Sequence, residues 1–499
     1  MRSPSLSLLA LALILYCSKS WESLLQAMDS GIHARLALEV TRTGWIPALP
    51  MPEMSLDSPR AFFNDQPFLF FFINGKFMRL ISELFYGGVW TDAWSARILP
   101  SLMGVASIGL LVKFGKQVIG QAQSTAAALL ILLCPLVIQF TARFQLDPPM
   151  IFFILLSFFL WDRKRPVLAG LSAGMAVSMK SPIGFLILPA ALTHLLIFRT
   201  GFRRFLLLGC ASLLPPLLMW ALANRIAHQN LFLDWVSNQV FRTAIEGRGL
   251  GTGTDFTGGV KLFLRNLAPG LVVLTVGLLY LRAKIRFDSA RLERSSLFLI
   301  GGGFVYLAVS AMSFRFPHYY LPMLPLFAIG LVGMFSIEVP ESARSTRAPA
   351  ILLSVVMFTS LLLNVMPIPT TFEFFPGLRR IIPFIQKDSL KTESIFFVEH
   401  TQPYGSSGDY FCTLVFYTGN RFASARCKEA DDKVLKYQPE WIVIHGNPSD
   451  CLLPGTLSKY RESVSYRGER LLRRQPATGQ KAASAIDLGP LENELRARI

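Results

Sequence analysis

Acidic and basic side chains stand directly beside long apolar runs at several points in this sequence. TARFQLDPPMIFF places Arg143 and Asp147 just before one apolar run, and MKSPIG places Lys180 at the end of another. Ionisable groups at membrane depth are energetically costly and are therefore usually functional. A carboxylate can deprotonate a hydroxyl or bind a metal ion, and cations suit a phosphate or pyrophosphate. Such residues together predict chemistry on a phosphate-activated, lipid-borne substrate.

Two further stretches carry residues of the same kinds. MDSGIHARLALEVTRTG begins with Asp29, a good N-cap for a helix starting near Ser30, and His33 follows one turn later. SFRFPHYYLPMLPL places Arg315 and His318 in a short turn between two apolar runs. Each stretch supplies one charged residue and one histidine to the candidate set.

Every one of these residues also has a purely structural interpretation. Asp29 can serve only as a helix cap, and LDPP can be a turn before a helix. Arg143 can be the ion-pair partner of Asp147, and Lys180 can extend its ammonium to the membrane surface. Tyr319 and its neighbour are typical interfacial anchors, and a lone histidine beside them is more often a surface residue than a catalyst.

The composition indicates a membrane protein. Of 499 residues, 52% are hydrophobic and only 16% are charged, which is unusual for a soluble domain. The net charge of +17 does not indicate nucleic-acid binding, because the basic residues form short clusters between apolar runs. The fold class expected is therefore a polytopic α-helical membrane protein.

Hydrophobic runs predict about eleven transmembrane helices. A cleavable signal peptide is the alternative for the first run, which is short and preceded by a basic residue. The runs lie at roughly 5–18, 94–112, 122–140, 149–161, 166–179, 182–198, 205–223, 266–281, 296–312, 319–336 and 349–366.

Lysine and arginine in the short loops predict the orientation, because such loops stay in the cytoplasm. Basic loops alternate with the others, so all of them can lie inside together. The loops that carry Asp29, Asp147, Lys180 and Arg315 are then outside, together with the loop 224–265. The run 67–85 could be a further span, which would invert every later basic loop, but it contains Asn, Gly, Lys and Arg and is predicted to be an interfacial helix within the first outer loop, 29–90.

After residue 366 the sequence changes character. ESIFFVEH and PEWIVIHG are short β-type runs with the helix-like EADDKVLKYQ between them, which predicts an extracytoplasmic α/β domain at 367–475. The tail 476–499 is predicted to be flexible. Three of the six cysteines, Cys412, Cys427 and Cys451, lie in this domain, where a disulfide requires an oxidising compartment and leaves one cysteine over.

A set of ordered motifs resembles a known family. FFNDQPFLFFFINGKF, WSARILPSLMG, ARFQLDPPMIFF, GLSAGMAVSMKSPIGFLILPA and FRFPHYYLPMLPLFAI follow an acid at the start of an interfacial helix. Over residues 5–335 this order resembles the superfamily of dolichyl-phosphate-mannose protein mannosyltransferases and aminoarabinose lipid A transferases. The resemblance implies the C-type membrane glycosyltransferase fold in residues 1–366.

The resemblance also implies roles for individual residues. Asp29 matches the first-loop acid, a general base or acceptor-orienting carboxylate, and Asp147 matches the second outer acid, which positions the acceptor or contacts a metal ion. Candidate ligands of the donor phosphate are Lys180, Arg315, Arg143 and Lys76, and candidate substrate contacts are His33, Asp65, Gln66, His318 and Tyr319.

The sequence departs from the family pattern at two places. Ser30 stands where the family often has a second acid, and Gln66-Pro67-Phe68 stands where many members have Lys-Pro-Pro. The second departure removes a lysine that is expected to contact the donor phosphate. Asp65, Lys76 or Arg143 then changes the arrangement of the phosphate site, and the acceptor can differ accordingly.

The expected function is transfer of a sugar from a polyprenyl phosphate to a lipid A, other glycan or protein acceptor by inverting displacement. The resemblance places this activity on the periplasmic face of a bacterial inner membrane, without nucleic acid. No cofactor is assigned, and a divalent metal is left open. A transporter or flippase of lipid-linked sugars is the alternative interpretation. A protein of that class is expected to have charged residues in the middle of the membrane and two repeated halves. A binding scaffold without activity is a third interpretation.

Overall fold

A computed structural model describes most of the helical region and much of the C-terminal region. The described residues are 4–17, 30–43, 67–86, 93–142, 145–198, 201–227, 230–237, 241, 256–280, 282–312, 317–338, 340, 381, 385, 393–399, 421–445, 447–466 and 469–475. The chain divides into two compact units. The first contains Met1–Leu25, Leu36–Ala48 and Phe63–Thr371, and the second contains Gln26–Arg35, Leu49–Phe62 and Phe372–Ile499.

The first unit is a bundle of apolar helices. Its labelled helices, with α2 shared between the two units, are α1 (Pro4–Cys17), α2 (Ser30–Thr43), α3 (Leu69–Tyr86), α4 (Ala93–Val118), α5 (Gln121–Leu132), α6 (Pro135–Thr141), α7 (Asp147–Asp162), α8 (Pro166–Met179), α9 (Ile187–Phe198), α10 (Phe202–Ala227), α11 (Phe256–Tyr280), α12 (Leu292–Ala311) and α13 (Met323–Gly333).

Within the described residues, four helices are long and apolar enough to cross a membrane. They are Trp94–Val118, Phe202–Ile226, Val260–Tyr280 and Ser289–Ala311, and α5 with α6 forms a fifth candidate that is bent by 69°. Shorter apolar helices occupy Leu6–Cys17, Pro166–Met179, Pro182–Phe198 and Met323–Gly333. The count of about eleven spans remains a prediction, and its last span, 349–366, lies outside the described residues.

Helices α7 and α8 form an antiparallel hairpin. Lys164, in the turn between them, has a φ of 59°, and its amide donates to the Trp161 carbonyl oxygen at 2.9 Å. Along the hairpin, the Ser157 hydroxyl donates to the Ala169 carbonyl oxygen and the Ser172 hydroxyl donates to the Phe153 carbonyl oxygen. The start of α7 therefore lies beside the end of α8.

The break between α5 and α6 is stabilised by a side chain from α11. The Asn266 amide oxygen accepts a hydrogen bond from the Leu136 amide at 3.0 Å, in the first turn of α6. The first amides of a helix have no partner within the helix, so a side-chain acceptor there stabilises the helix start. Asn266 in this way orients the segment that leads to Asp147.

Helix α3 forms where the sequence predicts an interfacial helix. Met78 and Phe71 are buried, whereas Lys76, Arg79 and Glu83 are exposed on the other face. With three charges, α3 is not among the four candidate spans found in the described residues. Its position in the membrane interface remains a prediction.

A two-stranded antiparallel ribbon is formed by one strand that follows α11 and one that follows α13. It consists of β1 (Lys284–Phe287) and β2 (Phe335–Glu338). Its two strands pair in register from Lys284 with Glu338 to Phe287 with Phe335.

The second unit contains a mixed five-stranded sheet. Its strands are β3 (Ser394–Glu399), β4 (Arg421–Arg426), β5 (Trp441–His445), β6 (Tyr460–Tyr466) and β7 (Glu469–Arg474), in the order β4-β3-β5-β7-β6. The first three in that order are parallel and the last two pairings are antiparallel. Helix α14 (Cys427–Tyr437) packs on the sheet through Ala430 and Val434 against Phe396 and Ile442.

A disulfide joins Cys427, at the start of α14, to Cys451. Cys451 is buried in the core of this unit. The domain limits predicted from the sequence, 367–475 with a tail at 476–499, remain a proposal.

Candidate active site

Asp147 and Lys180 form a buried ion pair. The Lys180 ammonium donates to the Asp147 carboxylate at 2.6 Å, and their side chains are 10% and 1% exposed respectively. The two residues were predicted separately, as an acceptor-orienting acid and a phosphate ligand, and the fold brings them together. Arg143, the partner considered from the sequence, lies outside the described residues.

Both partners of the ion pair occupy electrostatically favourable helix ends. Asp147 is the first residue of α7, where the helix dipole favours an anion, and Lys180 is the C-cap of α8, where it favours a cation. Pro148 and Pro149 fit the start of α7, because the first turn needs no amide donor there. The sequence thus folds locally so that two opposite charges meet at one end of the hairpin.

The segment after Lys180 fixes the end of α8 by close packing. Residues Pro182–Leu186 form a short 3-10 helix that lies back against α8. A Cβ atom added at Gly184 would lie 2.7 Å from the Val177 amide nitrogen and 2.9 Å from the Ala173 carbonyl oxygen. Only glycine permits this approach without a shift of the backbone. The position of Lys180 therefore depends on Gly184.

An aromatic group lies against the Lys180 side chain. The ammonium lies 5.8 Å from the centroid of the Tyr319 ring, within the range of a cation–π contact. Tyr319 packs edge-on against His318 with ring centroids 4.6 Å apart, and His318 stacks on Phe140 at 5.1 Å. His318 is buried. Asp147, Lys180, Tyr319, His318 and Phe140 form one continuous set of contacts, called the outer cluster below.

Helix α12 holds the turn that carries the aromatic side of the outer cluster. Tyr320, next to Tyr319, is buried, and its hydroxyl lies 3.3 Å from the Ser310 hydroxyl near the end of α12. Its ring also packs 5.8 Å from that of Tyr306. These contacts hold the turn Pro317–Tyr320 against α12.

The remaining sequence-predicted site residues fall into two groups. His33, in α2, is buried, and Lys76, in α3, is exposed with its ammonium 5.7 Å from the Phe72 ring one turn earlier. Among the described residues, the contact of the Lys76 ammonium is with Phe72 and not with a member of the outer cluster. Outside the described residues lie Asp29, Asp65, Gln66, Arg143 and Arg315.

Arg97, in WSARILPSLMG, is a candidate that the sequence analysis did not single out. It is 1% exposed, although a guanidinium stays charged at any physiological pH and is costly to bury. One turn along α4, the Ser101 hydroxyl donates to the Thr141 carbonyl oxygen at 3.0 Å, which places this end of α4 near the outer cluster. The sequence feature that could have identified Arg97 is an arginine inside an apolar helix.

Basic residues collect at the opposite end of α7. The Arg294 guanidinium lies 4.0 Å from the Asp162 carboxylate and donates to the Gln117 carbonyl oxygen at 3.4 Å. The Arg291 guanidinium donates to the Ile119 carbonyl oxygen. Three of the basic loops that were predicted to lie together on the cytoplasmic side therefore meet here. This end of α7 is roughly 24 Å along the helix from Asp147.

The described residues contain no group of three His, Cys, Asp or Glu side chains arranged to hold a metal ion. Asp147 is the only acid in the outer cluster, and its carboxylate is occupied by Lys180. The outer cluster therefore pairs one carboxylate with one ammonium and is close to neutral.

Residues 65–224 match the dolichyl-phosphate-mannose-protein mannosyltransferase family. No curated protein matches the sequence.

Solved structures with the same fold include ArnT from Cupriavidus metallidurans bound to undecaprenyl phosphate, with a TM-score of 0.67 and 14% identity over 93% of this chain and 97% of ArnT. The apo state of ArnT gives a TM-score of 0.59 at 15% identity over 93% and 96% of the two chains. The Archaeoglobus fulgidus oligosaccharyltransferase gives 0.53 at 12% identity over 93% of this chain and 73% of the other.

The family match includes Asp147 and Lys180, and the ArnT fold extends over nearly the whole chain. These findings confirm the resemblance that the ordered motifs indicated. Over residues 65–224 the chain resembles the dolichyl-phosphate-mannose-protein mannosyltransferase family, and its fold is that of ArnT.

Proposed function

We propose that this protein is a membrane glycosyltransferase that moves a sugar from a polyprenyl-phosphate donor to an extracytoplasmic acceptor. The observation that carries the proposal is the buried Asp147–Lys180 pair packed against Tyr319 in a bundle with the ArnT fold. The ArnT structure named above contains undecaprenyl phosphate, which supports a lipid of that class as the donor carrier. The acceptor is a hydroxyl or phosphate of lipid A, another glycan or a protein.

Lys180 is proposed to stabilise the departing phosphate. An ammonium has three donors, and in the described part of the chain one is used by Asp147. Asp147 holds the ammonium in place, so the cation is already oriented where negative charge develops in the transition state. Because the pair itself is close to neutral, the phosphate needs further cations. Arg143 is four residues before Asp147, and Arg315 is three before His318.

Asp29 is proposed as the general base. In a single displacement, the acceptor hydroxyl attacks the anomeric carbon, its proton goes to a carboxylate, and the bond to the lipid phosphate breaks with inversion. Such a base typically contributes ~10²–10⁴-fold in rate. The helix start at Ser30 supports a role for Asp29 at that end of α2.

The proposed topology has about eleven spans, with the outer cluster and the domain 367–475 on the extracytoplasmic face of a bacterial inner membrane. The basic end of the bundle supports this orientation, because basic loops stay in the cytoplasm. The Cys427–Cys451 disulfide supports it independently, since disulfides persist in oxidising compartments.

Transfer from a panel of radiolabelled polyprenyl-phosphate sugars to membrane acceptors tests the proposal, with purified wild-type protein, Asp29→Asn and Lys180→Gln. We expect transfer by the wild type and a loss of roughly 10²-fold or more in both variants. Lys116→Gln, an exposed lysine at the basic end, is the matched control and should retain activity. If the folded wild-type protein transfers no sugar but moves lipid-linked sugar between leaflets, the result would contradict the enzyme and favour a flippase.

A further inference from the structure

The ribbon of β1 and β2 has two chemically different faces. Ile285 pairs with Ile337 and Phe287 pairs with Phe335 in the antiparallel register. Side chains alternate along a strand, so these four share one face. The rings of Phe287 and Phe335 are in edge-to-face contact at 6.3 Å, which agrees with that assignment.

The apolar face of the ribbon is exposed. Phe287 is 60% exposed, Ile285 is 52% exposed and Phe335 is 37% exposed. The opposite face carries Lys284 and Arg286, both exposed. An isolated two-stranded ribbon with an apolar face is at best marginally stable in water, so this face needs a covering surface.

The chain connections fix where the ribbon lies. It begins four residues after α11 ends at Tyr280, and β2 begins two residues after α13 ends at Gly333. The Gln123 side-chain amide donates to the Phe335 carbonyl oxygen at 2.9 Å, and the Asp288 amide donates to the Met334 carbonyl oxygen at 2.9 Å. The ribbon is therefore attached to the basic end of the bundle, beside the start of α5.

The charge of the ribbon segment is predominantly positive. The segment carries Arg282, Lys284 and Arg286; of the described acids beside them, Glu338 stands opposite Lys284 in the register and Asp288 pairs with Arg291 at 2.8 Å. Cationic side chains beside a membrane surface are attracted to anionic headgroups, whereas apolar and aromatic side chains partition into the interface. The apolar face and the positive charge of the ribbon are therefore both complementary to a membrane surface that contains anionic lipids.

We propose that the β1–β2 ribbon is a lipid-binding element that lies on the membrane at the basic end of the bundle. Ile285, Phe287, Phe335 and Ile337 enter the interfacial layer. Lys284, Arg286 and Arg282 bind the headgroups of anionic lipids. The ribbon anchors α11, α12 and α13 at this end, independently of the transfer reaction at the other end.

Depth-dependent quenching in nanodiscs tests the membrane contact. A bimane label is attached at Ile285→Cys or at Arg286→Cys, neighbours on opposite faces, in the full chain with its free cysteines replaced by alanine. We expect a doxyl lipid with its nitroxide near the headgroup to quench the label at 285, and aqueous iodide to quench the label at 286. Equal access of iodide to both labels would overturn the proposal. A label at 285 that neither agent reaches would also overturn it, because a protein surface would then cover the face.

The preference for anionic lipid is tested with the same label at 285. Quenching by doxyl-phosphatidylglycerol is compared with quenching by doxyl-phosphatidylcholine at equal mole fraction. We expect stronger quenching by the anionic lipid, which reports its local enrichment over phosphatidylcholine near residue 285. This enrichment should fall roughly tenfold in Lys284→Gln/Arg286→Gln, since each charge favours an anionic surface. Arg203→Gln/Arg204→Gln, another basic pair, is the control and should keep the enrichment. Equal quenching by both lipids in the wild type would refute headgroup binding.

Discussion

A buried ion pair can serve structure alone or hold one charge ready for a substrate. Removal of either Asp147 or Lys180 leaves the other charge uncompensated in a site with almost no solvent. A loss of stability and a loss of transfer would therefore have the same physical cause. Such losses typically cost about 3–5 kcal/mol, whereas exposed pairs contribute about 0–1 kcal/mol. Stability and transfer therefore have to be measured on the same variants.

A double-mutant cycle at this pair separates the two uses. Asp147→Asn and Lys180→Gln should each lower the thermal stability of the purified protein, and the double variant should be less destabilised than the sum of the two. Transfer should stay lost in the double variant, because the ammonium is absent. Arg79→Gln, which removes an exposed pair with Glu83, is the control and should change stability by less than about 1 kcal/mol. Strict additivity would show that the pair is not coupled.

At the scale of elements, the end of α8 is set by the return of the chain at Gly184. Gly184→Ala should force the 3-10 helix away from α8, displace Lys180 and lower transfer. Stability should fall by about 1–3 kcal/mol, as for other overpacked sites. Gly303→Ala is the matched control, because a Cβ atom there meets nothing within 4 Å. Unchanged transfer and melting temperature in Gly184→Ala would contradict the proposed dependence on this contact.

In the second unit, Glu440 joins β5 to the start of β3. Burial raises the pKa of the Glu440 carboxyl, but hydrogen bonds from the Ser394 hydroxyl at 2.6 Å and amide at 2.7 Å, together with its own amide and the charge of Arg474, lower it below its ordinary value. The stabilisation is present above the ordinary glutamate pKa and is lost as pH falls through the lowered value.

Hydrogen exchange at the Ser394 amide measures this loss in the full chain. Protection, corrected for intrinsic exchange, should fall as pH is lowered below the ordinary glutamate range. Glu440→Gln should reduce protection at neutral pH and should flatten the dependence. Glu462→Gln, at an exposed pair with Arg470, should leave the profile of Ser394 unchanged. A wild-type profile that is flat in acid would contradict the linkage.

At the scale of the whole molecule, the bundle separates its charges between two ends. The outer cluster occupies one end, and the contacts of Arg291 and Arg294 occupy the other. A chemical step on an extracytoplasmic acceptor requires the first end to face away from the cytoplasm.

Labelling with a membrane-impermeant maleimide tests this orientation in intact cells. Lys459→Cys, exposed in the second unit, should react without permeabilisation, and Lys116→Cys, exposed at the basic end, should react only after it. Reduction of the cells should make Cys427 reactive as well, because its thiol is otherwise in the disulfide. The reverse pattern at the two introduced cysteines would invert the topology.

Several predictions from the sequence rest on local signals, and the structure agrees with them. Helix α2 starts at Ser30 after Asp29, and β3 and β5 lie within the two β-type runs. Capping chemistry and hydrophobic periodicity act over a few residues, so one sequence carries them. The roles of Asp29, Arg143 and Arg315, which lie outside the described residues, stay predictions.

The sequence by itself determined that the protein is an apolar helical bundle with charged loops, that its loops alternate in charge, and which acids and cations are candidates. Burial of apolar runs and the positive charge of short loops depend only on composition and order. The tertiary structure decided that Asp147 meets Lys180, 33 residues away, that Tyr319 lies against the same ammonium, and that Arg97 is buried. Such pairings depend on how helices pack side by side, because contact between residues distant in sequence is set by the shapes of many intervening side chains.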